Sequence, residues 1–289
     1  MILAQISDFH TVPKDKLVFG LVDSRTALSN AVDAVLRLSP PPDVVLVTGD
    51  LADSPDSEVY AHVISELARI PMPTFVIPGN HDSRSTMLDC FPSLPTIEKE
   101  RFVAYAIEDY PVRLIGIDST VDGKHTVEFC KRRARWLDTT LAQRPDTPTL
   151  IFLHHPPMDS GVVAMDFLGF DWANELESVV RRHSQIVRIA CGHHHRSMTA
   201  AWAGTIVTVA PSTSHQFPAR FGEDALPAFA VETPGMLLHY WTGQRLVTHT
   251  VPIDPAPTKE FFTGRPELWR ATIESLRAGA PLPHVDAQP

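Results

Sequence analysis

Five short runs of Asp, Asn and His residues stand out in this sequence because each follows a short apolar stretch. The runs are Asp8-Phe9-His10, Gly49-Asp50, Gly79-Asn80-His81-Asp82, His154-His155-Pro156-Pro157 and Gly192-His193-His194-His195. Carboxylate, amide and imidazole groups are ligands that Zn, Mn, Fe and Co accept in proteins. The sequence therefore predicts a metal site built from distant parts of the chain. The lack of cysteine in these runs argues against a structural zinc site.

The stretches that precede these runs have the features of buried β-strands. They are short, rich in Val and Ile, and bounded by Gly, Pro or Asp, and they lie at 2–6, 44–47, 75–77, 114–117, 150–153 and 186–190. Amphipathic helical patterns lie between several of them, and this alternation predicts an α/β protein. In α/β sheets the carboxyl ends of the strands form one rim. We therefore expect the five runs to meet there.

The last third of the chain has a different pattern. From about residue 204, strands are predicted at 205–209, 229–231, 236–241 and 246–251 without helices between them. We expect these strands to complete a second, mixed or antiparallel sheet. A proline-rich stretch and a short helix at 266–276 follow. The predicted organisation is one domain over 1–254 and a C-terminal extension over 255–289.

Most of the five runs have an ordinary structural interpretation when taken singly. A polar triplet such as Asp8-x-His10 is common in loops, and Gly49-Asp50 and the run at 79–82 suit tight turns. The two histidine clusters at 154–155 and 193–195 are harder to explain by packing, because buried imidazoles need hydrogen-bond partners. The combination and order of the runs therefore carry the prediction.

In this order the five runs resemble the pattern of the calcineurin-like metallophosphoesterase superfamily, D-x-H, G-D, G-N-H-[DE], H and G-H-x-H, over residues 1 to about 200. Within it, the ISDFH, GNHD and HHPP segments, Met165-Asp166 and Ser214-His215-Gln216 look most like the bacterial glycerophosphodiesterase and class III cyclic nucleotide phosphodiesterase branch. The resemblance implies a four-layer αββα sandwich with two mixed β-sheets.

The resemblance also implies a centre of two metal ions, each Mn, Fe, Zn or Co. One ion would take Asp8, His10 and His195, the other would take Asn80, His154 and His193, and Asp50 would bridge them. Spacing agrees with this assignment, because residues two apart in an extended segment project to the same side, as in His193 and His195. His194 would then point away.

Further residues acquire roles through the same resemblance. Water between the two ions would attack phosphorus in line. His81 would face the substrate and stabilise the phosphorane or protonate the leaving oxygen, and His215 is a second catalytic candidate. His155 and His194 are expected to orient the ligands through hydrogen bonds. Serine-triad chemistry is unsupported, because the sequence has no G-x-S-x-G elbow.

Composition narrows the expected partners and compartment. The 289 residues carry 25 Lys and Arg against 34 Asp and Glu, a net charge of −9, which disfavours nucleic acid. No apolar run approaches the ~20 residues of a membrane span, so no membrane partner is expected. Three cysteines without C-x-x-C spacing suggest a reducing cytoplasm. Self-association as a homodimer or larger oligomer is expected through exposed-looking aromatic residues, namely Phe217, Phe221, Phe229, Tyr240 and Trp241.

The favoured function is hydrolysis of small-molecule phosphodiester substrates such as glycerophosphodiesters. The alternatives are a 3',5'-cyclic nucleotide (cAMP) phosphodiesterase and a non-catalytic scaffold, although none of the seven ligands is missing. A protein phosphatase is disfavoured because the run at 49–54 lacks the Arg of G-D-x-x-D-R-G and GNHD replaces GNHE. A nuclease is disfavoured by the acidic balance.

Overall fold

The structure is a computed structural model of the chain, and it describes residues 1–97, 102–222, 224–258 and 265–281. Internal contacts divide the chain into two units, Met1–Asp254 and Pro255–Pro289. All of the residues proposed above for the metal site lie in the first unit. None of the helices in the described ranges combines the length and the apolar character needed to cross a membrane.

The first unit alternates strands and helices. Its first half contains, in order, β1 (Ile2–Ile6), α1 (Ser24–Leu36), β2 (Val44–Val47), α2 (Ser57–Leu67), β3 (Thr74–Val76), α3 (Arg84–Cys90), β4 (Thr96–Ile97), β5 (Phe102–Ile107), β6 (Arg113–Ile117), β7 (Thr120–Val121) and β8 (Lys124–Val127). Its second half contains α4 (Lys131–Ala142), β9 (Thr149–Phe152), α5 (Asn174–Val180), β10 (Ile186–Cys191), β11 (Met198–Trp202), β12 (Thr205–Val209), β13 (Gly235–Trp241) and β14 (Leu246–Pro252). The second unit contributes α6 (Pro266–Arg277).

Two mixed sheets form the centre of the first unit. The first sheet has the order β14-β13-β1-β2-β3, with β1, β2 and β3 parallel and β13 antiparallel to β1. The second sheet has the order β11-β12-β10-β9-β6-β5-β4, and β12, β10, β9 and β6 are parallel. Strands β7 and β8 form a separate hairpin.

The four layers follow from the alternation of side chains along the strands, because successive residues of a strand face opposite sides of its sheet. On β2, Val45 and Val47 pack with α1 and α2, whereas Val44 and Leu46 face the second sheet. On β9, Ile151 packs with α4 and α5, and Leu150 and Phe152 face the first sheet. Three apolar cores therefore separate helices, sheet, sheet and helices. The predicted αββα sandwich is confirmed.

The predicted role of the C-terminal strands is wrong in one respect. They do not form a sheet together: β12 lies beside β10 in the second sheet, whereas β13 and β14 form the edge of the first sheet next to β1. The strand predicted at 229–231 is a single bridge between Gln216 and Ala230. Of the aromatic residues expected at the surface, Phe221 and Tyr240 are exposed, but Trp241 packs in the core between the sheets.

Candidate metal centre

The carboxyl ends of five parallel strands bring the predicted ligands together. Asp8 and His10 follow β1, Asp50 follows β2 and Asn80 follows β3, all in the first sheet. From the second sheet, His154 follows β9, and His193 and His195 follow β10. The two rims face each other across the core between the sheets. All seven side chains therefore reach one region of the molecule, as the strand pattern predicts.

The backbone at this rim adopts left-handed conformations that residues other than glycine rarely take. Positive φ angles occur at five of the seven residues: Asp8 (57°), His10 (45°), Asp50 (51°), His193 (71°) and His195 (52°). Such residues cost of order 1–3 kcal/mol each and persist only where surrounding contacts impose them. Backbone hydrogen bonds supply part of that constraint, from the Asp8 amide to the Gly49 carbonyl (3.1 Å) and from the His10 amide to the Asp50 carbonyl (2.9 Å).

Two glycines allow the loops to approach each other closely. A Cβ atom at Gly79 would overlap the carboxylate and backbone of Asp50, and one at Gly192 would overlap the hydroxyl of Ser7 and lie 2.7 Å from Oδ2 of Asp8. Neither position has room for any other residue unless a ligand carboxylate moves. The glycines of the G-N-H and G-H-x-H runs therefore serve packing at the site as well as turn geometry.

The first cluster of side chains combines two carboxylates and two imidazoles. Nε2 of His10 lies 3.0 Å from Nε2 of His195 and 3.4 Å from Oδ2 of Asp50. Nε2 of His195 lies 3.4 Å from Oδ1 of Asp8, and Oδ2 of Asp8 is buried without a hydrogen-bond partner. All four side chains are buried, and their ligand atoms lie within 4.8 Å of one another.

The second cluster lies on the other side of Asp50. Nε2 of His154 is 3.3 Å from Oδ2 of Asp50 and 3.0 Å from Oδ1 of Asn80. The rings of His154 and His193 have centroids 5.1 Å apart. The same carboxylate oxygen of Asp50 thus lies near His10 in the first cluster and near His154 in the second. This is the position that a bridging ligand requires.

Proton positions test whether this cluster suits a metal. Nδ1 of His154 donates to the Thr48 carbonyl (2.8 Å), Nδ1 of His195 donates to the His215 carbonyl (2.9 Å), and Nδ1 of His10 donates to the Asp53 carboxylate (3.1 Å). In a neutral ring, Nε2 is then left with a lone pair. Three such lone pairs point toward the carboxylates, so the donor set fits cations held between them.

The electrostatics of the cluster also call for positive charge. Burial works against ionisation of Asp50, yet the neighbouring His154 holds its pKa well below the ordinary value. Burial likewise disfavours a charged His154, but the Asp50 carboxylate outweighs it and raises the pKa of His154 to about 9. The pKa of Asp8 is lowered in the same way, by His195 against burial. Anionic groups this deeply buried need a compensating cation, whether a proton or a metal ion.

A cavity of about 310 Å³ opens next to the cluster. Its lining combines ligands with other side chains: His10, Asp50, Asn80, His81, His125, Met165, Phe167, His193, His195 and Phe217. His81 lies in this wall with about 30% of its side chain exposed, and its amide donates to Oδ1 of Asp50 (2.9 Å). Its Nδ1 donates to the Asp53 carbonyl (3.0 Å), which leaves Nε2 for other partners.

His215 lies beside the first cluster, next to His10 and His195. It is 1% exposed and is absent from the lining of the cavity. Its ring packs against His195 (centroids 4.5 Å apart) and Phe19 (5.3 Å), and burial lowers its pKa to about 2. A ring nitrogen of His215 lies within 4.8 Å of ring nitrogens of His10 and His195, both of which line the cavity, so its expected catalytic role stays a prediction.

His155 and His194 lie behind the second cluster. Nδ1 of His155 is 2.8 Å from Oγ of Ser119, and its ring contacts that of His193 (4.6 Å). The ring of His194 contacts His193 from another direction (5.4 Å). Burial lowers the pKa of His155 well below its ordinary value and that of His194 to about 4. Both rings are therefore neutral near pH 7.

Three residues that sequence reasoning did not single out also contribute to the site. Asp53 accepts a hydrogen bond from His10 through its carboxylate and one from His81 through its carbonyl. Asp82 is buried and accepts from Tyr60 and from the amides of Gly79, Leu51 and Ala52, so it ties the loop after β2 to the loop after β3. His125 on β8 contacts His81 edge-on (4.5 Å). Asp53 lies three residues after the Asp50 of the G-D run and Asp82 ends the G-N-H-D run, but no local signal marks His125.

Comparisons with known proteins agree with this geometry. The family model described as calcineurin-like phosphoesterase matches residues 1–197. A protein of Arcobacter nitrofigilis named a probable glycerophosphodiester phosphodiesterase is 37% identical over 252 residues, which is 86% of this chain and 92% of that protein. The 3',5'-cyclic adenosine monophosphate phosphodiesterase of Escherichia coli K12 is 28% identical over 216 residues, 74% of this chain and 77% of that one.

Solved structures share the fold. The crystal structure of a dimetal phosphatase from Danio rerio superimposes with a TM-score of 0.67 at 16% identity and covers 88% of this chain and 96% of that one. At this identity the similarity concerns the arrangement of sheets and helices alone.

Proposed function

The chain belongs to the calcineurin-like phosphoesterase family, and from that premise we propose that it is a metal-dependent phosphodiesterase hydrolysing small phosphodiesters such as glycerophosphodiesters. The observation that carries the proposal is the position of Asp50, whose Oδ2 faces Nε2 of His10 at 3.4 Å and Nε2 of His154 at 3.3 Å. The relative from A. nitrofigilis, matched over most of both chains, supports the substrate class.

The ligand assignment is part of the proposal. One ion would be held by Asp8, His10 and His195, the second by Asn80, His154 and His193, and Asp50 would contribute to both. The converging lone pairs and the unpartnered Oδ2 of Asp8 support it. Imidazole and carboxylate ligands are compatible with Mn, Fe, Zn or Co. Bound ions of this kind supply Lewis acidity that activates water and stabilises negative charge on a phosphate group.

Residues around the proposed ligands orient the ligand rings, and one of them, His81, donates a proton. Because Nδ1 of His81 donates its own proton to the Asp53 carbonyl, the transferable proton is the one that the imidazolium form carries on Nε2, and the cavity gives that atom access to a leaving oxygen. In this role His81 gives that proton to the alkoxide as the P–O bond breaks, and the departing alcohol is neutral. His155 and His194 pack against His193 and fix its ring, and His215 fixes His195 through its carbonyl.

The alternative substrate is a 3',5'-cyclic nucleotide. The observation that favours it is the 28% identity to the E. coli cyclic AMP phosphodiesterase. We rank the cyclic nucleotide second, because the glycerophosphodiesterase relative has the greater identity and coverage. A non-catalytic scaffold is a weaker alternative, because all seven ligand positions retain their side chains and converge.

Assembly and compartment belong to the same proposal. We infer a cytoplasmic homo-oligomer, a dimer or larger, formed by the first unit over 1–254 with 255–289 as an extension. Exposed apolar side chains support self-association, among them Phe221 (69%), Leu226 (75%) and Val231 (70%). A monomeric mass by light scattering at micromolar concentration would reject the oligomer.

A hydrolysis panel tests the proposed activity. Protein reconstituted with Mn, Co or Zn is given glycerophosphodiesters, 3',5'- and 2',3'-cyclic nucleotides, aryl diesters and monoesters. We expect kcat/KM to be highest for open diesters. Higher kcat/KM for cyclic nucleotides would establish the alternative. Preference for monoesters would overturn the diesterase proposal.

A further inference from the structure

Three side chains beside the ligand set give the cavity an apolar wall that the reaction itself does not require. We call Met165, Phe167 and Phe217 the apolar wall; all three line the same cavity as His81 and Asp50. Among the described residues that line this cavity, none is Lys or Arg. A second anionic group on the substrate would therefore have no basic side chain to pair with in this cavity, whereas an apolar group could pack against Met165, Phe167 and Phe217.

Phe167 is the most exposed member of this wall. It lies at the centre of a 3-10 turn, Asp166–Leu168, and is 69% exposed. The turn is fixed internally: the Asp166 carboxylate accepts from the Ser160 amide (3.1 Å), the Ser160 hydroxyl (2.8 Å) and the Gly161 amide (2.9 Å). A large apolar ring is therefore held in solvent at the cavity by a braced turn, which suits it to contact a ligand.

Phe217 is fixed from a different part of the chain. Its ring lies 4.5 Å from that of His195, and its carbonyl accepts a hydrogen bond from Nη1 of Arg196 (2.8 Å). The wall is thus attached directly to the ligand set on one side. A phosphodiester whose phosphate lies at the metal ligands would have a substituent within reach of this wall.

We propose that the apolar wall binds an apolar, planar substituent of the phosphodiester, and that Phe167 sets the preference for it. The proposal rests on the phosphodiesterase function proposed above and narrows its substrate class. The favoured substrate carries one negative charge at phosphorus and an apolar ring on the alcohol that stays bound to it. A compact polar substituent on the retained alcohol leaves the wall uncovered and binds less well.

The test compares two diesters with the same leaving group, methyl 4-nitrophenyl phosphate and phenyl 4-nitrophenyl phosphate. Because 4-nitrophenolate departs from both, the demand for a proton at the leaving oxygen is the same. For the metal-loaded wild type we expect kcat/KM to favour the phenyl ester by about 10-fold, mainly through KM, as expected from covering part of a phenyl ring. Phe167→Ala should reduce this ratio to about 1–2, and Phe167→Tyr should keep it.

Tyr240 provides a control, because it is an exposed aromatic side chain on β13 (47%) that is absent from the cavity lining. Tyr240→Ala should leave the ratio at its wild-type value. A ratio that is the same in wild type, Phe167→Ala and Tyr240→Ala would overturn the apolar wall while the diesterase function stands. A ratio lost equally in both alanine variants would also overturn the assignment to Phe167.

A binding measurement tests the contact with the apolar wall independently of substrate hydrolysis. Titration calorimetry of the metal-loaded protein with phenylphosphonate and methylphosphonate, neither of which is hydrolysed, should show about 10-fold tighter binding of the phenyl compound in wild type and in Tyr240→Ala. Phe167→Ala should bind both equally. If neither diester is turned over but this pattern holds, the diesterase proposal fails and the wall stands; equal binding in wild type rejects the wall.

Discussion

Nε2 of His10 and Nε2 of His195 lie 3.0 Å apart in the interior of the protein, although the Nδ1 atom of each ring already donates to an oxygen. With both rings neutral, two lone pairs face each other. The contact is favourable only if a positive charge lies between the rings or on one of them. Asp8 and Asp50 border the same space, so the two rings mark the space that the first proposed metal ion would occupy.

Substitution of the shared carboxylate should affect both metal positions. Asp50→Asn keeps the size of the side chain but removes the negative charge facing His10 and His154. We expect bound metal to fall at both positions and kcat to fall at least 100-fold, whereas His10→Ala should chiefly empty one position. Metal per chain measured by mass spectrometry, with the exposed Asp224→Asn as control, decides this. Wild-type metal content in Asp50→Asn would mean that the bridge is misassigned.

The leaving group should determine how much His81 matters. An alkoxide needs a proton as it departs, whereas an aryl oxide leaves more readily without one. His81→Ala should therefore lower kcat by about 10²–10³ for alkyl diesters and by about 10-fold or less for aryl diesters. His249→Ala, which removes an exposed imidazole on β14, serves as control. Equal losses for the two classes of substrate would remove His81 from the acid role.

The hydrogen bond between Tyr60 and Asp82 should contribute to stability. The Tyr60 hydroxyl donates to Oδ1 of Asp82 (2.9 Å) and accepts from the Ser83 amide (3.2 Å), and Tyr60 is fully buried. Tyr60→Phe leaves both partners short of a hydrogen bond, so the free energy of unfolding in urea should fall by about 1–3 kcal/mol. Tyr240→Phe removes a hydroxyl from a half-exposed side chain and should change it little. Similar values for the two variants would contradict the prediction.

The fold should lose stability in acid partly through His239. This buried side chain joins β13 to its neighbours, through Nε2 to Gln5 (3.0 Å) and through Nδ1 to Thr248 (2.9 Å). Burial, with a smaller contribution from Arg188, lowers its pKa to about 3 in the folded protein. The unfolded chain binds this proton near pH 6.5, so the stability that neutral His239 provides is complete above that pH and is lost as pH falls toward 3.

Urea unfolding between pH 7 and pH 4 measures this effect. The contribution of His239 corresponds to a slope of up to about 1.4 kcal/mol per pH unit below pH 6.5. His239→Gln should be less stable at pH 7 but should show a shallower slope, and the exposed His249→Gln should behave like wild type. An unchanged slope in His239→Gln would show that other groups account for acid sensitivity.

The sequence was most informative where local patterns and strand order act together. Each ligand run directly follows an apolar strand, and parallel strands place their carboxyl ends on one rim, so the convergence of Asp8, Asp50 and His193 could be predicted. The sheet to which β13 and β14 belong could not be predicted. An alternating strand pattern fits the antiparallel edge of either sheet. Which sheet the two strands join depends on the pairing of β13 with β1, which lies far away in the sequence.

The surroundings of His215 and His125 could not be predicted from the sequence for a similar reason. The burial of His215 depends on Phe19, which lies about 200 residues earlier in the chain, and on packing with Phe217. His125 reaches the cavity because β7 and β8 form a hairpin whose residue Asp122 accepts a hydrogen bond from the Arg84 amide (2.8 Å). Such contacts between distant loops leave no periodic trace in the sequence.

The most direct test of the account is a metal titration of stripped protein. Bound Mn²⁺ per chain and hydrolysis of bis(4-nitrophenyl) phosphate are followed together as metal is added to protein freed of metal by chelation. We expect no turnover in the stripped protein, binding of two ions per chain, and activity that appears as the sites fill. Full turnover by stripped protein with no bound metal would contradict it.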